Sequence, residues 1–184
     1  MYRQRPEPTG RNTAVVMSDV LTPSQRRRVM SRIRGKNTRP EMLIRRGLHG
    51  RGLRFKIHRE GMPGTPDIVL ARYRAVVLVN GCFWHGHSCS LFRLPKTRAT
   101  FWKKKISRNR ARDVRTLGEL ESEGWRVLVV WECAVKGRHR KDLVDVLNEA
   151  EAFVREGRQS FAEIQENEHL ETALASRAVH KVTE

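Results

Sequence analysis

The sequence predicts an α/β fold, a mixed sheet with helices on its faces. Two observations carry this. Candidate elements follow in the order helix, three strand-like runs, helix, strand, helix. Two of the runs, Ala75 to Val79 and Arg126 to Trp131, are continuous apolar stretches rich in β-branched residues, the pattern of a strand buried on both faces.

Residues 1–21 are polar and carry Pro6, Pro8 and Gly10, which predicts a flexible leader. Ser24 to Arg34 is a basic helical segment with Val29, Met30 and Ile33 among its arginines, broken by Gly35-Lys36-Asn37. Thr38-Arg39-Pro40-Glu41 starts a helix: Thr38 can cap, Glu41 sits three positions later as in a capping box, and Pro40 suits the first turn. Leu43, Ile44 and Leu48 follow at helical spacing, and Gly50 and Gly52 end the helix. Leu53 to His58 alternates weakly and is expected as a strand. Asp67 to Ala71 is a second, after the turn-rich Gly61-Met62-Pro63-Gly64-Thr65-Pro66, and Ala75 to Val79 is the third. A loop over Gly81 to Pro95 leads to a helix from Thr97 to Glu123, marked by Phe101, Ile106, Val114, Leu117 and Leu120 and closed by Gly124. The strand from Arg126 to Trp131 precedes a last helix from about Lys141 to Arg155. Beyond Gly157 apolar periodicity fades, so one folded domain is expected over 22–156 with a marginal or disordered tail over 157–184.

Composition narrows the function. The chain has 184 residues, 39% of them hydrophobic, enough for one domain with a real core. A net charge of +17 and a pI near 11.1 favour a polyanionic partner. Nucleic acid fits best, because basic and aromatic residues interleave through the middle of the chain. No apolar run approaches the roughly 20 residues that span a bilayer, and the arginine-bearing N-terminus lacks the apolar segment of a secretory signal. Three cysteines, an odd number, argue against a disulfide framework and for a reduced, cytoplasmic protein with thiolate ligands.

The densest chemistry lies in Asn80-Gly-Cys-Phe-Trp-His-Gly-His-Ser-Cys89, with the remaining cysteine in Trp131-Glu132-Cys133. Zinc takes four tetrahedral ligands from thiolate sulfur and imidazole nitrogen. Cys82, Cys89 and Cys133 with either His85 or His87 make such a set, and spacing does not choose between the histidines. A site so closed is structural. Asp67, opening a strand after Pro66, is a hard oxygen donor at the lip of a sheet and a candidate Mg²⁺ ligand. His85 is a candidate general base. Asp113 and Glu41 are further acidic candidates, Glu41 already explained as a cap. Phe83 and Trp84, in a polar glycine-flanked loop, and Met30 are candidate wedges between base steps.

Together these residues resemble the very-short-patch repair (Vsr) endonucleases. The matching features are Met30 in Arg-Val-Met-Ser-Arg-Ile, Pro63-Gly64-x-Pro66-Asp67, Gly81-Cys82-Phe83-Trp84-His85-x-His87-x-Cys89, Thr97-Arg98 through Phe101-Trp102, Asp113, and Gly124-Trp125-Arg126-Val127-Leu128 through Trp131-Glu132-Cys133. The similarity runs in order from about Asp19 to Gly137.

The resemblance implies a type II restriction-endonuclease-like fold for the 22–156 domain, and nicking of one strand on the 5′ side of the thymine in T·G mismatches left by 5-methylcytosine deamination. It implies Mg²⁺ on Asp67 and the backbone carbonyl of Val79, His85 as base supported by Asp113, and Glu41 as the helix-borne acid. Zinc would sit on Cys82, His87, Cys89 and Cys133. Phe83 and Trp84 would enter beside the mismatch from the major groove and Met30 from the minor groove. Val79-Asn80 stands where some members carry Thr-His. The carbonyl ligand survives any side chain, whereas Asn80 can orient water or phosphate but cannot act as a base.

The expected partner is double-stranded DNA with a T·G mismatch, bound by a monomer in the nucleoid, with no membrane. Mismatch-repair proteins are candidate partners, and a cytosine-5 methyltransferase is a functional companion. The alternatives are a related restriction-like nuclease with another target and a non-catalytic, zinc-stabilised DNA-binding module.

Overall fold

The computed structural model describes residues 35–167, together with Thr22, Ser24, Gln25 and Arg28. The chain divides into two units, Met1–Ile33 and Arg34–Glu184. In the first, Thr22 N–H donates to Gln25 Oε1 at 2.8 Å and Gln25 N–H to Thr22 Oγ1 at 3.2 Å, a reciprocal cap on the helical Ser24 and Gln25. The expected leader and Met30 lie outside the described residues.

The second unit begins with the anticipated capping box. Glu41 N–H donates to Thr38 Oγ1 at 3.4 Å, and Thr38 N–H to Glu41 Oε2 at 3.1 Å. Helix α1 then runs over Arg39–Gly50 and buries Ile44 and Leu48. Strand β1 (Ile68–Leu70), a one-turn 3-10 helix (Ala71–Tyr73) and β2 (Ala75–Asn80) follow. Next come the short α2 (Cys82–His85), the long α3 (Ala99–Ser122) and β3 (Arg126–Trp131). The unit ends with α4 (Glu132–Val135), α5 (Leu143–Glu156) and β4 (Phe161–Ile164). Asp142 caps α5, accepting from Val144 N–H at 2.7 Å. Among the described residues no helix is long and apolar enough to cross a membrane.

The four strands form one sheet in the order β1-β2-β3-β4. β1 is antiparallel to β2, while β2, β3 and β4 run parallel. The apolar runs of β2 and β3 serve both faces, as their lack of alternation predicts. Val77, Leu128 and Val130 pack with Ile44 and Leu48 of α1 and Val146, Ala150 and Phe153 of α5. Val76, Val127 and Val129 pack on the other face with Leu120 of α3, Trp125 and Cys82. Each fully buried aliphatic side chain contributes about 1.5–3 kcal/mol, so both helical layers are held by the same two strands.

Three expectations differ from the structure. The loop expected over Gly81 to Pro95 opens with the short helix α2. Leu53 to His58 forms no strand; only Lys56 pairs, in an isolated bridge with Val69. His58 adopts φ +44°, which turns the chain away before a ladder can extend. Within the stretch expected as a tail, Phe161–Ile164 forms β4 along the open edge of β3. Its pattern is exposed on alternate residues and buried at Ile164, too short and too mixed to stand out as a strand.

Candidate active site

Topology gathers the site. β2 and β3 run parallel with Asn80 opposite Trp131, so both strands end at one edge of the sheet. β1 runs the other way and therefore starts at that edge, which brings Asp67 alongside Val79. Open α/β sheets bind ligands in the crevice at the carboxyl ends of parallel strands. Here a cleft of about 460 Å³ lies there, lined by Asp67, Val79, Asn80, His85 and Asp113, with His58, Lys36, Arg112, Thr116 and Trp131.

Asp67 is fixed by the backbone. Its Oδ2 accepts from Val79 N–H at 2.7 Å, and its Oδ1 lies 3.9 Å from His58 Nδ1. Burial raises its carboxyl to about 6; the Val79 bond opposes this, nearby Glu41 adds to it and Arg45 opposes it. The turn leading to Asp67 is rigid. Gly64 has φ +67°, and a Cβ there would stand 2.3 Å from Thr116 Cγ2 on α3. Only glycine lets the loop close on the helix that carries Asp113.

Glu41 is buried and does more than cap. Its Oε1 is ion-paired with Arg45 and lies 3.2 Å from His58 Nε2. Ligand atoms of Glu41, His58 and Asp67 all lie within 4.8 Å of one another. Nothing in the sequence marks His58, which falls in a weakly alternating run and reaches the site only through the fold.

His85 projects from α2 toward α3, where its Nδ1 is 2.6 Å from Asp113 Oδ2. A carboxylate can only accept, so Nδ1 carries a hydrogen, and in the neutral ring the lone pair lies on Nε2. The dyad is braced by Asn109 Nδ2–H, which donates to the Trp84 carbonyl at 2.8 Å. Gly86, at φ +62°, sits where a Cβ would meet Ile106 Cγ2 at 2.5 Å, so α2 lies directly on α3.

The second histidine goes elsewhere. Cys82, His87, Cys89 and Cys133 hold their ligand atoms within 4.8 Å of one another, a group able to hold a metal ion. This separates the two histidines that spacing left equivalent. His87 Nε2–H donates to Gln165 Oε1 at 2.9 Å, leaving Nδ1 to face Cys133 Sγ at 3.6 Å. Without metal the thiols are unequal. A hydrogen bond from Cys82 holds Cys133 low, while that same bond and burial push Cys82 up. Glu166 completes the surround: its N–H donates to Cys133 Sγ at 3.4 Å, and its carboxylate accepts from Ser90 N–H at 2.8 Å and Ser90 Oγ–H at 2.5 Å. Neither Gln165 nor Glu166 was visible from sequence, because both follow the unforeseen β4. Three thiols and an imidazole form a closed set suited to a soft four-coordinate cation.

The aromatic pair is half-buried rather than splayed. Phe83 packs edge-on to Trp84 and Trp102, with ring centroids 5.2 and 5.1 Å away. Lys105 Nζ stands 5.4 Å from the Trp84 ring. Trp102, the hub of this cluster, sits on α3 in the basic run Lys103-Lys104-Lys105. Trp131 joins the cleft to the thiol cluster, stacking on His87 at 4.0 Å and meeting His85 edge-on at 6.2 Å.

Known proteins have similar sequences. The family model described as DNA mismatch endonuclease Vsr matches residues 18–91. The chain is 54% identical over 117 residues to the type II nicking enzyme V.XorIIP of Xanthomonas oryzae pv. oryzae, covering 64% of this chain and 86% of that protein. It is 44% identical over 122 residues to the type II nicking enzyme V.NmeAIP of Neisseria meningitidis, covering 66% and 87%. Against the DNA mismatch endonuclease Vsr of Escherichia coli it is 44% identical over 124 residues, covering 67% and 80%. With most of each relative's length matched at this identity, the chain belongs to the Vsr family of DNA mismatch endonucleases and is a DNA endonuclease.

Proposed function

We propose that this protein nicks one strand of duplex DNA on the 5′ side of the thymine in a T·G mismatch, using Mg²⁺, and that it carries a structural zinc ion on a type II restriction-endonuclease-like domain. The observation that carries the chemistry is the placement of the His85–Asp113 pair in one cleft with Asp67. Family membership sets aside the non-catalytic DNA-binding module.

His85 Nε2 takes the proton of the attacking water, and Asp113 holds the ring in the tautomer that can do so and stabilises the imidazolium that forms. Asp67 and Val79 both line the cleft, and the carboxylate of the one with the backbone carbonyl of the other would supply the hard oxygen donors that Mg²⁺ takes. Bound there, the ion would neutralise charge on the phosphate and steady the leaving oxygen. Asn80 lines the same cleft and can orient the water or a phosphate oxygen. Glu41 acts from behind, as a buried partner of Arg45 and His58. In this reading Phe83 and Trp84, which pack with Trp102, would enter the base stack from the major groove and Met30 from the minor groove. The thiol cluster suits zinc and fixes the loop that carries these rings. The basic surface supplies salt-sensitive contacts to the phosphates. The same reading makes the protein a nucleoid-associated cytoplasmic monomer, working beside a cytosine-5 methyltransferase and open to mismatch-repair proteins.

The test is a nicking assay with Mg²⁺ across all mismatches in several sequence contexts. T·G nicking should dominate and vanish in Asp67→Ala and His85→Ala, with DNA binding retained. Equal cleavage of fully paired DNA would instead favour a restriction-like nuclease with another target.

A further inference from the structure

Arg45 and His58 stand between Glu41 and Asp67, and their contacts decide what the three-residue cluster can do. The Arg45 and His58 side chains are only 8% and 13% exposed. Arg45 Nη1–H donates to Asn37 Oδ1 at 2.6 Å. Its Nη2 is paired with Glu41 Oε1, lies 2.7 Å from His58 Nε2, and donates to the Asp67 carbonyl at 3.4 Å.

A guanidinium has donors and no acceptor. His58 Nε2 faces Glu41 Oε1 at 3.2 Å and Arg45 Nη2 at 2.7 Å; the shorter contact is to a group that can only donate, so Nε2 accepts from Arg45 and the ring hydrogen sits on Nδ1. That nitrogen points at Asp67 Oδ1, 3.9 Å away. With Nε2 engaged and Nδ1 protonated, the imidazole offers no lone pair to a cation. Glu41 is already neutralised by Arg45. A group that looks like three metal ligands therefore reduces to one, Asp67.

We propose that Arg45 and His58 form a positioning relay for Asp67. Arg45 sets the tautomer of His58, and His58 directs its Nδ1–H at the Oδ1 side of the carboxylate while Val79 N–H holds Oδ2. The 3.9 Å separation is an electrostatic contact beyond hydrogen-bond range. The relay leaves the carboxylate one defined direction in which to bind a cation. It rests on the proposed reading of Asp67 as the cation ligand.

The experiment titrates Mn²⁺, as a spin probe, into the full-length protein and reads binding by electron paramagnetic resonance. His58→Ala should weaken binding by about 10–100-fold, the usual loss when an outer-shell partner of a ligand is removed. His58→Gly suits the positive φ and should match it, which guards against misfolding of the alanine variant. His58→Gln can accept from Arg45 with Oε1 and donate from Nε2, so it should bind as the wild type does although it cannot titrate. Arg45→Lys should weaken binding in the same direction as His58→Ala. DNA binding without divalent cation should be unchanged in all four, and bound Mn²⁺ should show no imidazole nitrogen coupling. Wild-type affinity in both His58→Ala and His58→Gly would overturn the relay, as would a glutamine variant as weak as alanine or a nitrogen coupling from direct ligation. Asp67→Asn is run in parallel. Retained Mn²⁺ affinity there would remove Asp67 as the ligand, a failure separate from that of His58.

Discussion

His85 and Asp113 are joined at 2.6 Å across two helices, α2 and α3. The bond fixes which imidazole nitrogen is free. Removing the base should lower kcat by about 10²–10⁴-fold, the usual contribution of general-base catalysis. Asp113→Asn should also lower kcat, because an amide can donate to Nδ1 and stabilise the tautomer that blocks Nε2. In both variants KM for mismatched DNA should hardly move, as neither group is a phosphate anchor. Single-turnover nicking with a separate binding isotherm checks this. A loss confined to KM would remove the pair from the chemical step.

The Asp67 carboxyl, raised by burial to about 6, should make cation binding at the proposed site pH-dependent. Only the carboxylate binds a cation, so protons compete. The Mg²⁺ concentration needed for half-saturation should be level above about pH 7 and rise about tenfold per unit well below pH 6. Stability without divalent cation has the opposite sign. The folded pKa exceeds the ordinary 3.8, so the contribution is fully present below 3.8 and is lost as pH rises through about 6. Competition against Mn²⁺ across pH reads the first effect directly. A flat affinity profile between pH 5 and 7 would contradict it.

Much of this was legible because local chemistry and fold agree. Thr38 and Glu41 are three residues apart, and the capping box needs nothing else. The double-faced runs of β2 and β3 announced their burial through unbroken apolar residues. Cys82, His87, Cys89 and Cys133 could be grouped by ligand type, yet spacing could not separate His85 from His87, since both sit within reach of the same loop. Their division depends on Asp113 from α3 and Gln165 after β4. His58 and Arg45 carry no local signature at all. Their roles arise from α1 lying behind the start of β1.

Gly64 and Thr116 form a close packing point in the wall of the cleft, and it can be tested by volume. Gly64→Ala places a Cβ 2.3 Å from Thr116 Cγ2 and forces alanine to φ +67°. Overpacking of this kind typically costs about 1–3 kcal/mol, and the positive φ adds strain. The variant should unfold at lower temperature and nick more slowly, because the same turn delivers Asp67. Thr116→Ala in the same chain removes the obstructing methyl and should recover part of the stability, the remainder being the φ penalty. Thermal unfolding of the four members of the cycle measures the coupling; strict additivity would show that the two residues do not meet.

The thiol cluster should hold its metal only as firmly as the segment after β4 holds the ligands. Purified protein should contain about one zinc per chain, lost in Cys133→Ser, since a structural site rarely tolerates a missing ligand. Gln165 is a subtler probe. It touches no sulfur and accepts only from His87 Nε2–H, the bond that turns Nδ1 toward Cys133. Gln165→Ala should leave zinc stoichiometry intact at rest but weaken zinc affinity by about 10–100-fold, as losing an outer-shell partner usually does. Glu166→Ala should act similarly by releasing Ser90 from the segment after β4. Competition with a colorimetric chelator reads the affinity, and the Trp131 ring stacked on His87 at 4.0 Å offers a fluorescence report of the same event. If Gln165→Ala gives zinc up no more readily than the wild type, His87 is oriented by the sulfur cluster itself and β4 is only a neighbour.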